Sequence, residues 1–124
     1  MIETTNKYIF ATICSLTQRG GRVTHTTSPL RIYGLQVARV GDIVTYEDGS
    51  EAVVIDGAGS GSILGDKPAA LVGSHLSNGD EIIESLQNTH GLPTSLDIEG
   101  LFDPTYIPSQ PDSSSTPRSY RSLE

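Results

Sequence analysis

Two stretches of this chain repeat one another, and that self-similarity restricts the fold more than any other feature. Gln36-Val37-Ala38-Arg39-Val40-Gly41-Asp42 lies over Pro68-Ala69-Ala70-Leu71-Val72-Gly73-Ser74, with Ala38 matching Ala70, Val40 matching Val72 and Gly41 matching Gly73. After a short gap, Asp48-Gly49-Ser50-Glu51-Ala52-Val53 lies over Asn78-Gly79-Asp80-Glu81-Ile82-Ile83, so an Asx-Gly turn, a glutamate and an apolar run recur in order. Such repetition marks one supersecondary unit used more than once, each copy burying against its neighbours a face it cannot bury alone. Two or three units of this kind pack as the sides of a wedge or cone. A partial third unit is expected around residues 19–30, where the chain again turns at glycines before a strand.

Inside and around the units the periodicity is that of strands. Tyr8-Ile9-Phe10-Ala11-Thr12-Ile13-Cys14 is rich in β-branched and aromatic residues and reads as a first strand; residues 23–27 pair back after the turn at Arg19-Gly20-Gly21-Arg22. Residues 30–35 and 37–42 alternate apolar with polar side chains as half-buried strands do. The clearest hairpin runs from Ile43-Val44-Thr45-Tyr46 through Glu47-Asp48-Gly49-Ser50 to residues 51–55, because Asp-Gly favours turns that match strand twist. Gly41 and Gly73 set turn geometry rather than touch a ligand.

Composition agrees with an all-β body. The chain has 124 residues, with 13 Gly, 7 Pro and 6% aromatic residues, so it supports one lean core joined by tight turns. From about Leu101 the character changes. Pro104, Pro108, Pro111 and Pro117 alternate with serines, a composition that cannot repay the entropy of folding. Residues 1–100 are therefore read as the β-repeat domain and 101–124 as a tail, with Leu101-Phe102 and Tyr106-Ile107 its candidates for docking on the body.

Several function classes are disfavoured. Fifteen acidic against 8 basic residues give a net charge of −7 with no basic stripe, which argues against nucleic-acid binding and against docking on anionic lipid. The longest apolar runs, 52–55 and 69–72, fall far short of the ~20 residues that span a bilayer. Met1 to Lys7 lacks a basic region leading into an apolar run, so no secretory signal is expected, and the lone Cys14 has no disulfide partner within the chain, which fits synthesis in the cytoplasm. The Gly-rich string Asp56-Gly57-Ala58-Gly59-Ser60-Gly61-Ser62 is expected to be a flexible turn. Gly65 and Pro68 break the helix that a phosphate-binding loop or a nucleophile elbow needs after it. Glu51 and Glu81 recur in register but read as surface charge, and no catalytic residue is indicated.

The two repeated segments resemble the Pro-Ala-Ala-Arg motif of the PAAR family, with Val37-Ala38-Arg39-Val40-Gly41-Asp42 and Pro68-Ala69-Ala70-Leu71-Val72-Gly73 as the matching stretches. The order of a Gly-Gly turn, strand, motif, hairpin, Gly-rich return and second motif is also similar to that family. The resemblance implies a short cone or prism of β-hairpin repeats with a pseudo-three-fold arrangement. It further implies a non-enzymatic tip of a type VI or related contractile injection spike, in which one monomer caps a trimeric, VgrG-like β-helical spike for membrane puncture. The tip meets the target membrane transiently, leaves the cell on the spike, and is a place to adapt an effector protein for delivery. On this resemblance the twelve residues of the two motif stretches are the partner-binding set, with Arg39 and Asp42 pairing across the interface or within one strand.

The family usually carries a zinc near its apex, held by His and Cys. Here the corresponding positions are Arg19, Tyr46 and Asn78, none a usual zinc ligand. No cofactor is expected. The competing set Cys14, His25, His75 and His90 has no compact ligand spacing. Two other readings stand beside the cap: a small toxin carried by the same machine through residues 101–124, and a β-repeat binding module unrelated to secretion.

Overall fold

The computed structural model describes residues 7–108. These form eleven short strands and no α-helix. The strands are β1 (Lys7–Ile9), β2 (Leu16–Thr17), β3 (Arg22–His25), β4 (Arg31–Ile32), β5 (Leu35–Gln36), β6 (Ile43–Thr45), β7 (Glu51–Val53), β8 (Ile63–Leu64), β9 (Lys67–Pro68), β10 (Ile82–Glu84) and β11 (Gly91–Pro93). The expected all-β cone of hairpin repeats is present, and its units number three.

The third copy of the motif is Phe10-Ala11-Thr12-Ile13-Cys14-Ser15, earlier in the chain than the stretch around 19–30 where a partial unit was expected. Its signature is visible in the hydrogen bonds. Ala11 N donates to Ala70 O (3.0 Å), Ala70 N to Ala38 O (2.9 Å) and Ala38 N to Ala11 O (2.9 Å), closing a ring around one pseudo-three-fold axis. A second ring-like set follows the same rule: Ile13 N to Gln36 O, Val40 N to Pro68 O and Val72 N to Ile9 O. The three alanines are fully buried, because strands converging on an axis leave room there only for a small side chain.

Each motif then turns sharply into a hairpin, and the turn is built alike in all copies. The residues at the bend are Cys14, Gly41 and Gly73, all with positive φ (68°, 98° and 105°). The following side chain closes the bend by accepting a backbone N–H: Ser15 Oγ from Thr12, Asp42 Oδ2 from Arg39 and Ser74 Oγ from Leu71, each at 2.9 Å. A short oxygen-bearing side chain is required at that place, which is why Ser and Asp alternate there.

The three hairpins pair side by side. Strands run in the order β10-β2-β3-β6-β7, and the outer edge of β7 is not left open. Val54 bridges Leu76, Ser77 N donates to Val53 O (2.8 Å) and Ile55 N to His75 O (2.9 Å), so the third hairpin meets both β2 and β7. Closure into a ring removes the exposed edges that would template aggregation. Inside lies one apolar cluster of Ala11, Val23, Ala38, Val44, Ala52, Val54, Ala70, Leu76 and Ile82.

The residue preceding each motif alanine points the other way, as the two-residue period of a strand demands. Phe10, Val37 and Ala69, with Leu71, build a second cluster with Ile32, Ala58, Leu64, Leu92, Tyr8, Leu101 and Phe102. It lies among three two-stranded ribbons, β1–β11, β4–β5 and β8–β9, one leading into each motif.

Two local expectations need correction. Residues 30–35 are not one strand, because Tyr33 and Gly34 both adopt positive φ (54° and 78°) and fold the segment into the β4–β5 hairpin. Val23 pairs back on the end of the first strand, with Cys14 N donating to Val23 O (2.8 Å) and Val23 N to Ser15 O (3.0 Å), and Val23 and His25 also pair with β6. The Gly-rich string is no free turn: Asp56, Gly57, Ala58 and Gly59 are buried, and Gly57 O and Ser60 N bond to Phe102 N and Glu99 O. The Ile43–Thr45 and Glu51–Val53 hairpin lies in the expected register, with Val44 opposite Ala52.

Candidate functional site

Two regions concentrate the residues singled out from the sequence: the motif ring with its ribbons, and the apex where the three hairpin turns meet. In the ring, Val37, Ala38, Asp42, Pro68, Ala69, Ala70 and Leu71 are buried within the chain itself, while Arg39, Val40, Val72 and Gly73 are half-buried and Gly41 is exposed. The motif side chains thus build the body first. Arg39 shows how. Its guanidinium does not reach Asp42; Nε donates to Thr27 Oγ1 (2.8 Å) and Nη1 to Leu64 O (2.5 Å), with Asp66 at 3.4 Å, tying the approach to β4 to the β8–β9 ribbon. Asp42 instead accepts from Thr27 Oγ1 (2.8 Å) and from the Arg39 backbone.

What stays open on that side is carried by the ribbons. Leu30, Tyr33 and Ile63 are exposed there, Tyr33 to 69%. Leu101 and Phe102 dock on the second cluster, Phe102 standing edge-on to Tyr8 with centroids 5.8 Å apart. Tyr106 and Ile107 line a shallow cleft with Val40 and Pro68. The Pro/Ser-rich stretch from 109 onward lies outside the described residues.

At the apex, Arg19, Gly20, Tyr46, Glu47, Asp48, Ser50 and Asn78 line an open depression of about 580 Å³. Beneath it Asp80 is almost fully buried. Its Oδ2 accepts the Tyr46 hydroxyl at 2.5 Å, and its Oδ1 accepts the backbone N–H groups of Glu81 (2.8 Å) and Arg19 (3.2 Å). Asn78 Nδ2 donates to Tyr46 Oη (3.1 Å), and Arg19 Nη1 to Asn78 O (3.2 Å). Tyr46 reaches across because Gly21 lies under it: a Cβ there would overlap Val44 and the Tyr46 ring. Burial would push the Asp80 carboxyl up, but hydrogen bonds from Thr17, Tyr46, Glu81 and Arg19 outweigh it and hold the group below the usual carboxylate range. The Tyr46 phenol is pushed up, by burial first and by the Asp80 acceptor second. Asp80 was not singled out from the sequence. The signal was a carboxylate directly after the Asn78-Gly79 turn, where the other hairpins have Gly21 and Ser50.

The histidines and the cysteine are engaged separately. His75 Nδ1 lies 2.7 Å from Asp56 Oδ2, His25 and His90 bond to the threonines before them, and Cys14 is an exposed thiol. Among the described residues no three His, Cys, Asp or Glu side chains converge as a metal site.

With this geometry in view, the family comparison is decisive: the model of the PAAR motif matches residues 15–84. The chain belongs to the PAAR-motif family. No curated protein matches it. The PAAR motif is associated with spike-tip proteins of type VI secretion; the family is structural, and PAAR proteins bind VgrG spikes. The matched span covers all three apex hairpins and two of the three motif copies, leaving most of Phe10 to Ser15 outside it.

The family's apex zinc does not suit this PAAR chain. Zinc takes lone pairs from His nitrogen, Cys sulfur or carboxylate oxygen in a tetrahedral set. The Arg19 guanidinium offers none and carries a positive charge, the Tyr46 hydroxyl donates its proton, and the Asn78 amide nitrogen is itself a donor. Both Asp80 oxygens already accept hydrogen bonds.

Proposed function

We propose that this PAAR chain is a structural cap for the blunt end of a trimeric, VgrG-like β-helical spike, sharpening it for membrane puncture. The observation that carries the reading is the closed Ala11–Ala70–Ala38 hydrogen-bond ring, which makes one chain present three near-equivalent sides. A three-fold platform offers the same patch three times, and a monomer satisfies it only if its own surface repeats three times.

The docking face in this reading is the ribbon side, not the motif side chains as a set. Ribbons β1–β11, β4–β5 and β8–β9 each have an outer backbone edge for spike strands to cover, and Leu30, Tyr33 and Ile63 supply apolar contact around them. The twelve motif residues act by holding those ribbons in place, with Arg39 as the strut between two of them. The chain is made in the cytoplasm, loaded on the spike and leaves with it, and the tail of residues 101–124 is where an effector would be recruited.

The test is co-purification with the trimeric spike protein of the same injection system, comparing the natural chain with Tyr33→Glu and Ile63→Glu. Retained melting temperature with lost co-purification in the variants supports the ribbon face. Full binding by both variants rules that face out, and no binding by the natural chain rules out the cap.

A further inference from the structure

The apex of this chain has a single buried charged side chain, and its sign is negative. Asp80 is 1% exposed, yet it does more than close its own turn. The bond to Glu81 N is local; those to Tyr46 Oη and to Arg19 N come from residues 34 and 61 positions away, on the two other hairpins. Thr17, on the same hairpin as Arg19, adds its hydroxyl. Every turn at the tip is therefore bonded to one carboxylate. Asn78 fastens the outside of this arrangement by donating to Tyr46 Oη, accepting Asp80 N on its Oδ1 (3.0 Å) and accepting Arg19 Nη1 on its backbone oxygen.

We propose that the buried carboxylate of Asp80 cross-links the three apex hairpins in place of a metal ion, as a central anion gripped by N–H and O–H donors. The chemistry of every neighbour is that of a donor shell. Arg19 supplies an N–H and a nearby positive charge, Thr17 and Tyr46 supply hydroxyls, and Glu81 supplies an amide. The same shell turns N–H and O–H protons rather than lone pairs toward its centre, so it suits an anion and repels a cation. The arrangement is laid down by the sequence: Arg19, Tyr46 and Asn78 occupy three turn-end positions, Gly21 clears the path for Tyr46, and Asp80 follows its turn glycine. An anion so held is covalently part of the chain, so the tip needs no metal loading before assembly.

The experiment uses the purified full chain. Zinc content is measured by inductively coupled plasma mass spectrometry and melting temperature is followed with and without chelator. The proposal expects far less than one zinc per chain and a melting temperature unmoved by chelator. It expects Tyr46→Phe and Asp80→Asn each to melt roughly 5–15 °C lower, with the double variant falling by less than the sum, since both remove one shared bond. Should Asp80→Asn fail to fold, hydrogen exchange on the natural chain decides. The Arg19 and Glu81 amides are then expected to exchange at least tenfold more slowly than the exposed Gly65 and Asp66 amides of the β8–β9 turn. One zinc per chain with chelator-sensitive melting, full stability of both single variants, or unprotected Arg19 and Glu81 amides would each overturn the proposal.

Discussion

Cys14 stands where the other two copies have Gly41 and Gly73, and its φ of 68° lies in the region that costs a side-chain-bearing residue about 1–2 kcal/mol. Cys14→Gly is expected to raise stability by about 1 kcal/mol, partly offset by the freedom glycine gains in the unfolded chain, and to raise the melting temperature by a few degrees. Gly41→Ala is the converse. No atom lies within 4 Å of a Cβ placed there, so its loss of ~1–2 kcal/mol is a pure backbone effect. Urea denaturation of the two variants checks both; a destabilised Cys14→Gly would show that the thiol does more than tolerate the bend. The cysteine also explains why the third motif copy escaped the sequence. Ala11, Ile13 and Ser15 match Ala38, Val40 and Asp42, but the glycine that makes the other two copies recognisable is absent here.

The pH response of the apex also belongs to single residues. A carboxyl held low in the folded state adds stability above the unfolded value, near pH 4, and loses it as the pH falls through the folded value. A phenol held high adds stability below about pH 10 and loses it as the pH rises through the folded value. The apex is thus expected to be firmest between these limits. The charged groups around the pair are Arg19, Glu47, Asp48 and Glu81. Melting from pH 3 to 11 tests this: Asp80→Asn should flatten the acid limb and Tyr46→Phe the alkaline limb, and unchanged limbs would contradict the assignment.

Among the elements, the Asp48-Gly49 hairpin was legible because turn chemistry and strand alternation are local properties. Closure of the three hairpins was not, since Val54–Leu76 and Ser77–Val53 pair residues with no local code for meeting. The segment after residue 100 shows the same limit. Its composition reads as a tail, but Leu101 and Phe102 face an apolar cluster that only the folded ribbons create. Phe102 stands edge-on to His75 as well as to Tyr8. Phe102→Ala is expected to cost about 2 kcal/mol, less than a fully buried phenylalanine because the ring is half-exposed. A loss under a few tenths of a kcal/mol in urea denaturation would show that the docked segment adds nothing to the body.

For the whole molecule, three-fold repetition within one chain is the organising fact. The central alanine ring leaves no space for growth, so Ala38→Leu is expected to cost more than ~3 kcal/mol or prevent folding, beyond the ~1–3 kcal/mol of ordinary overpacking, because it strains all three units together. The repeat was readable in two copies and the family resemblance followed from it. What the sequence withheld was the division of labour: the motif residues build the axis, and the ribbons they carry form the face left open. Native mass spectrometry of the chain mixed with the trimeric spike protein of its own system tests that account most directly. One chain per three spike chains is the predicted complex. Three chains per trimer, or no complex at all, would contradict it.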